Sequence, residues 1–221
     1  MDKLLCRAGF APQLVLLVAV ISLTNWLFLP YETTIMLFEE SGLIENATVF
    51  LYYLAIIAIW LFRPPALNRL SAAALHIILT AMAARELDLH KRLADMSLLK
   101  LRFWTNSGTP WLAKVEAAVI LLLIIAAIAY LAKTHARGFF AQIRRAEPVA
   151  VTILTFFITL VVSKLADRSL GVLREVFGYI APDWLMALGQ SFEEPFEMIL
   201  PLLIMLAVMQ AALGGRRNVA P

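Results

Sequence analysis

Charge is scarce in this chain. Only 16% of its 221 residues are Asp, Glu, Lys or Arg, while 62% are hydrophobic. A soluble domain needs roughly a quarter of its residues charged to keep its surface hydrated, and each helix of a soluble bundle needs a polar stripe. The composition therefore excludes both. Cysteine is nearly missing too: Cys6 stands alone, which excludes an internal disulfide and a cysteine-cluster metal site. No small-x-small cleavage pattern follows the first apolar run, so that run is expected to stay as a span and not to leave as a signal peptide. Internal repeats, low-complexity tracts and flexible linkers are also lacking, leaving a single membrane domain over 1–221.

What is present is a series of apolar runs. A helix rising 1.5 Å per residue needs roughly 20 apolar residues to cross a hydrocarbon core about 30 Å thick. Six stretches meet or approach that requirement, at about 11–30, 43–62, 67–86, 112–131, 148–167 and 194–213. The expected fold is thus all-α, a polytopic transmembrane bundle of about six spans. Arg63-Pro64-Pro65 ends the second run. The third has a clean apolar part of only 70–84, and Pro201 inside the sixth should kink it or be absorbed by packing.

Basic residues orient such a chain. With the N-terminus in the cytoplasm, ten Lys and Arg fall on the inner side against seven outside, five of those between Arg85 and Arg102. Both termini are expected in the cytoplasm. The loop 87–110 interleaves Leu93, Met96, Leu99, Phe103 and Trp104 with Lys91, Arg92, Lys100 and Arg102. That mixture, and the helical spacing of Leu170, Leu173, Val176, Phe177 and Ile180, suits amphipathic segments in the outer headgroup region. The expected partners are accordingly membrane lipids, with no nucleic acid.

The acids collect on one side of this topology. Glu45, Glu86, Glu116, Asp167, Glu193, Glu194 and Glu197 lie at similar depth, with Asp88 and His90 close by, against Arg85, Lys114, Lys164 and Arg168. Ionisable groups in hydrocarbon are costly and face the bundle interior, paired or hydrated. Seven acids against four bases leave carboxylates without a protein counter-ion. Glu86 and His90 are four apart, as are Glu193 and Glu197, so each pair shares a helical face. One divalent metal ion could sit among Glu86, His90, Asp167 and Glu197, ligands of the type that suits Zn²⁺, Mn²⁺ or Fe²⁺. Glu45, Glu86, Asp167 and Glu194 are the candidate catalytic acids, and Arg85 and Arg168 the candidate grips for an anionic head group.

Three readings follow from this layer: an enzyme on lipid or envelope material, a cation or proton transporter, and a structural or assembly protein whose charges only lock helices together. Thr152, Thr155, Thr159 and Ser163 lead along one helix face toward Asp167, as a proton route or as small groups for close helix packing. The near absence of polar groups in the inner halves of the helices weighs against transport. Glu40-Ser-Gly-x-x-Glu45, Arg85-Glu86-x-Asp88-x-His90 and Glu193-Glu194-x-x-Glu197, in that order, resemble patterns in uncharacterised families of small polytopic bacterial inner-membrane proteins. That resemblance implies a location in the inner membrane and carries no activity.

Overall fold

A computed structural model describes residues 2–38, 42–62, 64, 67–89 and 96–217. The chain is all-helical. Its long helices are α2 (Phe10–Phe28), α4 (Leu43–Phe62), α5 (Arg69–Glu86), α7 (Trp111–Arg144), α8 (Pro148–Phe177) and α9 (Asp183–Arg217). Short helices α1 (Asp2–Leu5), α3 (Tyr31–Leu37) and α6 (Leu101–Thr105) fill the connections. Among the described residues, five of the long helices are long and apolar enough to cross a bilayer, and α5 is the one that falls short. Arg69, His76, Arg85 and Glu86 dilute its hydrophobicity, yet it packs in the bundle between α4 and α7. This is a multi-pass membrane protein.

The outer surface confirms the solvent. Leu16, Leu17, Ile57, Leu122 and Val161 are each more than half exposed, an arrangement that suits lipid and would make a water-soluble protein aggregate. The sequestered core lies around α9, whose most apolar stretch is 56% buried against 11% for α7. Ile199, Leu200 and Leu203 of α9 are almost fully enclosed and pack with Tyr52, Ile59 and Leu79 of α4 and α5.

Three helices outrun the 20-residue spans expected from bilayer thickness. Helix α7 has 34 residues, α8 has 30 and α9 has 35. Hydrocarbon thickness sets the minimum length of a span, and backbone hydrogen bonding can carry it further into the interface. The amphipathic stretch after Asp167 is therefore a continuation of α8, stopped by Gly178. That residue takes the left-handed φ of 64°, and its N–H donates to the Arg174 carbonyl in the αL form of helix cap. Helix α9 begins at Asp183 and passes through Pro195 and Pro201. The fully buried Pro201 is absorbed by packing.

Where it is described, the loop expected to lie in the headgroup region turns one side onto the bundle. Phe103 is fully buried, and with Leu98 it packs against Ala113 and Ala117 of α7 as a small separate core. Trp104 donates its indole N–H to the Leu98 carbonyl at 2.9 Å. Leu99 and Leu101 remain exposed, at 69% and 77%. Leu93, Lys91 and Arg92 lie outside the described residues.

Candidate functional site: a carboxyl cluster around Glu197

Glu197 is the centre of the charged layer. It sits on α9 and is 4% exposed, so its charge must be matched inside the protein. The match comes from two neighbouring helices. The Arg85 guanidinium at the end of α5 donates to Oε1 at 3.3 Å, and the Ser163 hydroxyl of α8 donates to the same oxygen at 3.3 Å. Lys164, one residue further along α8, also donates to Oε1. Lys164 reaches Asp167 as well, one turn on, at 3.6 Å.

Helical spacing explains the convergence. Ser163, Lys164 and Asp167 occupy one side of α8, since residues three and four apart share a face. Glu193, Glu194 and Glu197 do the same on α9, against which α8 makes its broadest packing. Arg85 and Glu86 lie in the last turn of α5, and Glu45 in the first turn of α4. The antiparallel course of α4 and α5 brings these two ends together.

Glu86 and Glu197 are close neighbours, each within electrostatic reach of the other. Two carboxyl groups this near one another repel when both are ionised and are relieved when one proton is shared between them. Glu194 lies within electrostatic reach of Glu193, Glu197 and Glu45, and Glu193 within reach of Asp167 and Glu197. Six carboxyl side chains thus surround two cations, Arg85 and Lys164. No ion pair or hydrogen bond to Glu193 or Glu194 forms among the described residues.

The expected layer divides when the chain folds. Glu45, Glu86, Asp167, Glu194 and Glu197 come together with Arg85. Lys114 instead caps the α6–α7 connection by donating to the Asn106 carbonyl at 2.9 Å, and Glu116 is exposed on the same helix. Arg168 is exposed and makes no ion pair among the described residues. His90 lies outside the described residues, and among those described no three His, Cys, Asp or Glu are grouped to hold a metal ion. The Glu197 Oε1 already receives two cationic donors, which would oppose a metal ion at that oxygen.

Two buried polar groups escaped the sequence reading. Tyr52 is fully buried on α4, within electrostatic reach of Glu86, Glu197 and Arg85, and its hydroxyl has no partner among the described residues. It lies seven residues after Glu45, two turns along the same face; that spacing was the available signal. Gln210 lies at the opposite end of α9. Its Oε1 accepts from the Thr152 hydroxyl at 2.8 Å, and its amide nitrogen donates to the Leu5 carbonyl at 2.8 Å. Of the hydroxyl series on α8, Thr155 bonds its own helix at the Val151 carbonyl, while Thr159 is buried without a partner among the described residues.

The two prolines add polarity to α9. Each removes a backbone N–H, so the carbonyls of Ser191 and Glu197, four residues before Pro195 and Pro201, lose their ordinary helical donors. Both carbonyls flank the acidic motif. Comparison with protein-family models, with curated proteins and with solved structures gives no match.

Proposed function

We propose that this chain is a membrane-embedded acid–base enzyme acting on lipid or envelope material at the outer face of a bacterial inner membrane. In this reading both termini are cytoplasmic, consistent with the excess of Lys and Arg on that side. The observation that carries the proposal is the placement of the Glu86 carboxyl beside that of the buried Glu197, with further acids around them. In a carboxyl pair that shares one proton, the protonated member can give its proton to a leaving group while the ionised member takes one from an attacking group, the division of labour used by paired-carboxylate enzymes.

The roles follow from burial. Glu197 is enclosed and anchored by Arg85, Lys164 and Ser163, so it fixes the pair in place. Glu86 is only half-buried and is the member that meets substrate. Arg85 then serves as a positioning residue. Glu45, Asp167 and Glu194 line the approach, and Arg168 at the surface offers a charge to an anionic group nearby.

The test is conversion of lipid. Protein reconstituted with bacterial phospholipids should change the mass profile of those lipids, and Glu86→Gln should slow that change by about 100-fold or more. A second reading has its own support. The Thr152–Gln210 bond and Thr159, without a partner among the described residues, extend polar groups from Ser163 toward the opposite end of the bundle, as a proton route would require. Unchanged lipids together with a proton flux into vesicles, lost in Glu86→Gln, would replace the first reading with the second.

A further inference from the structure

Lipid can cover a methyl group but cannot satisfy a hydroxyl. The outward side chains in the middle turns of α2, α7 and α8 respect that limit: Leu17, Val20, Leu122, Ile125, Ile158 and Val161 are exposed and aliphatic. Where α2 exposes a hydroxyl, on Thr24, it bonds the Val20 carbonyl of its own helix at 2.7 Å.

The hairpin of α4 and α5 departs from this pattern. Tyr53 is 49% exposed near the middle of α4, and His76 and Thr80 are exposed near the middle of α5. Neither the Tyr53 nor the Thr80 hydroxyl has a hydrogen bond among the described residues. His76 accepts the Trp60 indole N–H on Nδ1 at 3.2 Å, which puts the proton of the neutral ring on Nε2. That donor also lacks a partner among the described residues. Helix α5 is besides the long helix that falls short of the apolarity a membrane crossing needs, so a protein neighbour relieves it most.

The two helices are complementary in shape. Phe50, Tyr53, Ile57 and Trp60 stand out from α4 at alternating steps of three and four, the spacing of a helix–helix seam. On α5, Ala73, Thr80 and Ala84 share a face with His76, and small side chains there let a second helix approach closely. Depth matches as well. The Trp60–His76 bond sets α4 and α5 level at that point. The helices are antiparallel, so three residues back to Ile57 and four residues on to Thr80 lead the same way, to depths within about 2 Å of each other.

We propose that this face joins two copies of the chain about a two-fold axis along the membrane normal, α4 of each copy seated against α5 of the other. Such an axis keeps every residue at its own depth and makes the surface pair with itself. The large side chains of α4 then enter the shallow side of the second copy's α5. The Tyr53 and Thr80 hydroxyls, each both donor and acceptor, and the His76 Nε2–H gain protein in place of acyl chain around them. This assembly requires nothing of the carboxyl cluster.

The lone Cys6 supplies the label. Full-length protein carrying a donor dye would be mixed with protein carrying an acceptor in phospholipid vesicles and diluted with lipid. Energy transfer should exceed that of chance encounters and decline on dilution as a dimer dissociates. Tyr53→Phe combined with Thr80→Val removes two hydroxyls that lie outside the core, and should move the midpoint about tenfold toward higher protein density. Ala84→Trp, which fills the shallow side, should abolish the transfer, while Val119→Trp on the exposed side of α7 should leave it unchanged. Cross-linking reads the pairing directly. Ile57→Cys and Thr80→Cys chains, each also carrying Cys6→Ser, should form a disulfide-linked dimer when co-expressed and oxidised, and neither should do so alone. Transfer that survives Ala84→Trp, or a mixed pair that does not cross-link, would overturn the proposal. Transfer no greater than chance would also overturn it, leaving lipid or another protein's helix as the cover of this face.

Discussion

Arg85→Met tests whether the charged cluster organises the bundle. Glu197 is 4% exposed, and Arg85 donates to its Oε1 at 3.3 Å with Ser163 and Lys164 on the same atom. Removing one partner of a fully buried pair costs about 3–5 kcal/mol, because the surviving charge is stranded. Two features reduce that figure. The Arg85 side chain keeps 39% of its exposure, so part of its interaction is screened by water or head groups, where pairs contribute about 0–1 kcal/mol. Lys164 also remains on Glu197 after the substitution. The expected loss is about 1–2 kcal/mol. At about 2–4 °C per kcal/mol for a chain of this size, Arg85→Met should melt about 2–8 °C below wild type in detergent. Arg168→Met, which removes an exposed side chain with no ion pair among the described residues, should melt with wild type. In a Glu197→Gln background the Arg85→Met loss should shrink, because the cycle removes the shared interaction. Wild-type melting of Arg85→Met, or an equal loss from Arg168→Met, would refute this account of the cluster.

Other outcomes follow from the same geometry. Gln210→Leu removes the acceptor of Thr152 and the donor to the Leu5 carbonyl, and should cost about 1–3 kcal/mol, while Thr152→Val made in that variant should add little further loss in a melting series. Gly178→Ala forces a side chain onto a φ of 64° and should cost about 1–2 kcal/mol, measured as earlier fraying of the α8 end by hydrogen exchange. For topology, a cytoplasmic reporter should be active after Ala66 and after Pro221, and an external one after Ser107; a cytoplasmic signal at Ser107 would invert the orientation. Tyr52→Phe deletes a buried hydroxyl that has no partner among the described residues, so it should melt at or slightly above wild type, and a clear loss would mean that an ordered water or ligand bridges that hydroxyl.

The positions of the helices were readable because hydrocarbon imposes a simple rule on composition. The apolar runs at 112–131 and 148–167 lie wholly inside α7 and α8. The weakness of the third run was readable too, since Arg85 and Glu86 at its end are the groups that dilute α5. Spacing alone placed Glu193 and Glu197 on one face and Ser163 with Asp167 on another. It could not show that Arg85 would choose Glu197 while Arg168 would choose none, because that depends on how α5 and α8 are rotated against α9. Nor could it assign Lys114 to the Asn106 carbonyl, a bond made within a loop whose fold depends on Phe103 packing against α7.

The order of residues therefore decided the solvent, the helices and the depth of the charged layer. Each of these follows from the cost of placing one side chain or one peptide group in lipid, a quantity local to the chain. Tertiary structure alone decided the partners. Arg85 meets Glu197 across 112 residues of chain, and Thr152 meets Gln210 across 58. Such pairs depend on the rotation and offset of whole helices, which are settled jointly by packing at Ile199, Leu203, Tyr52 and their neighbours.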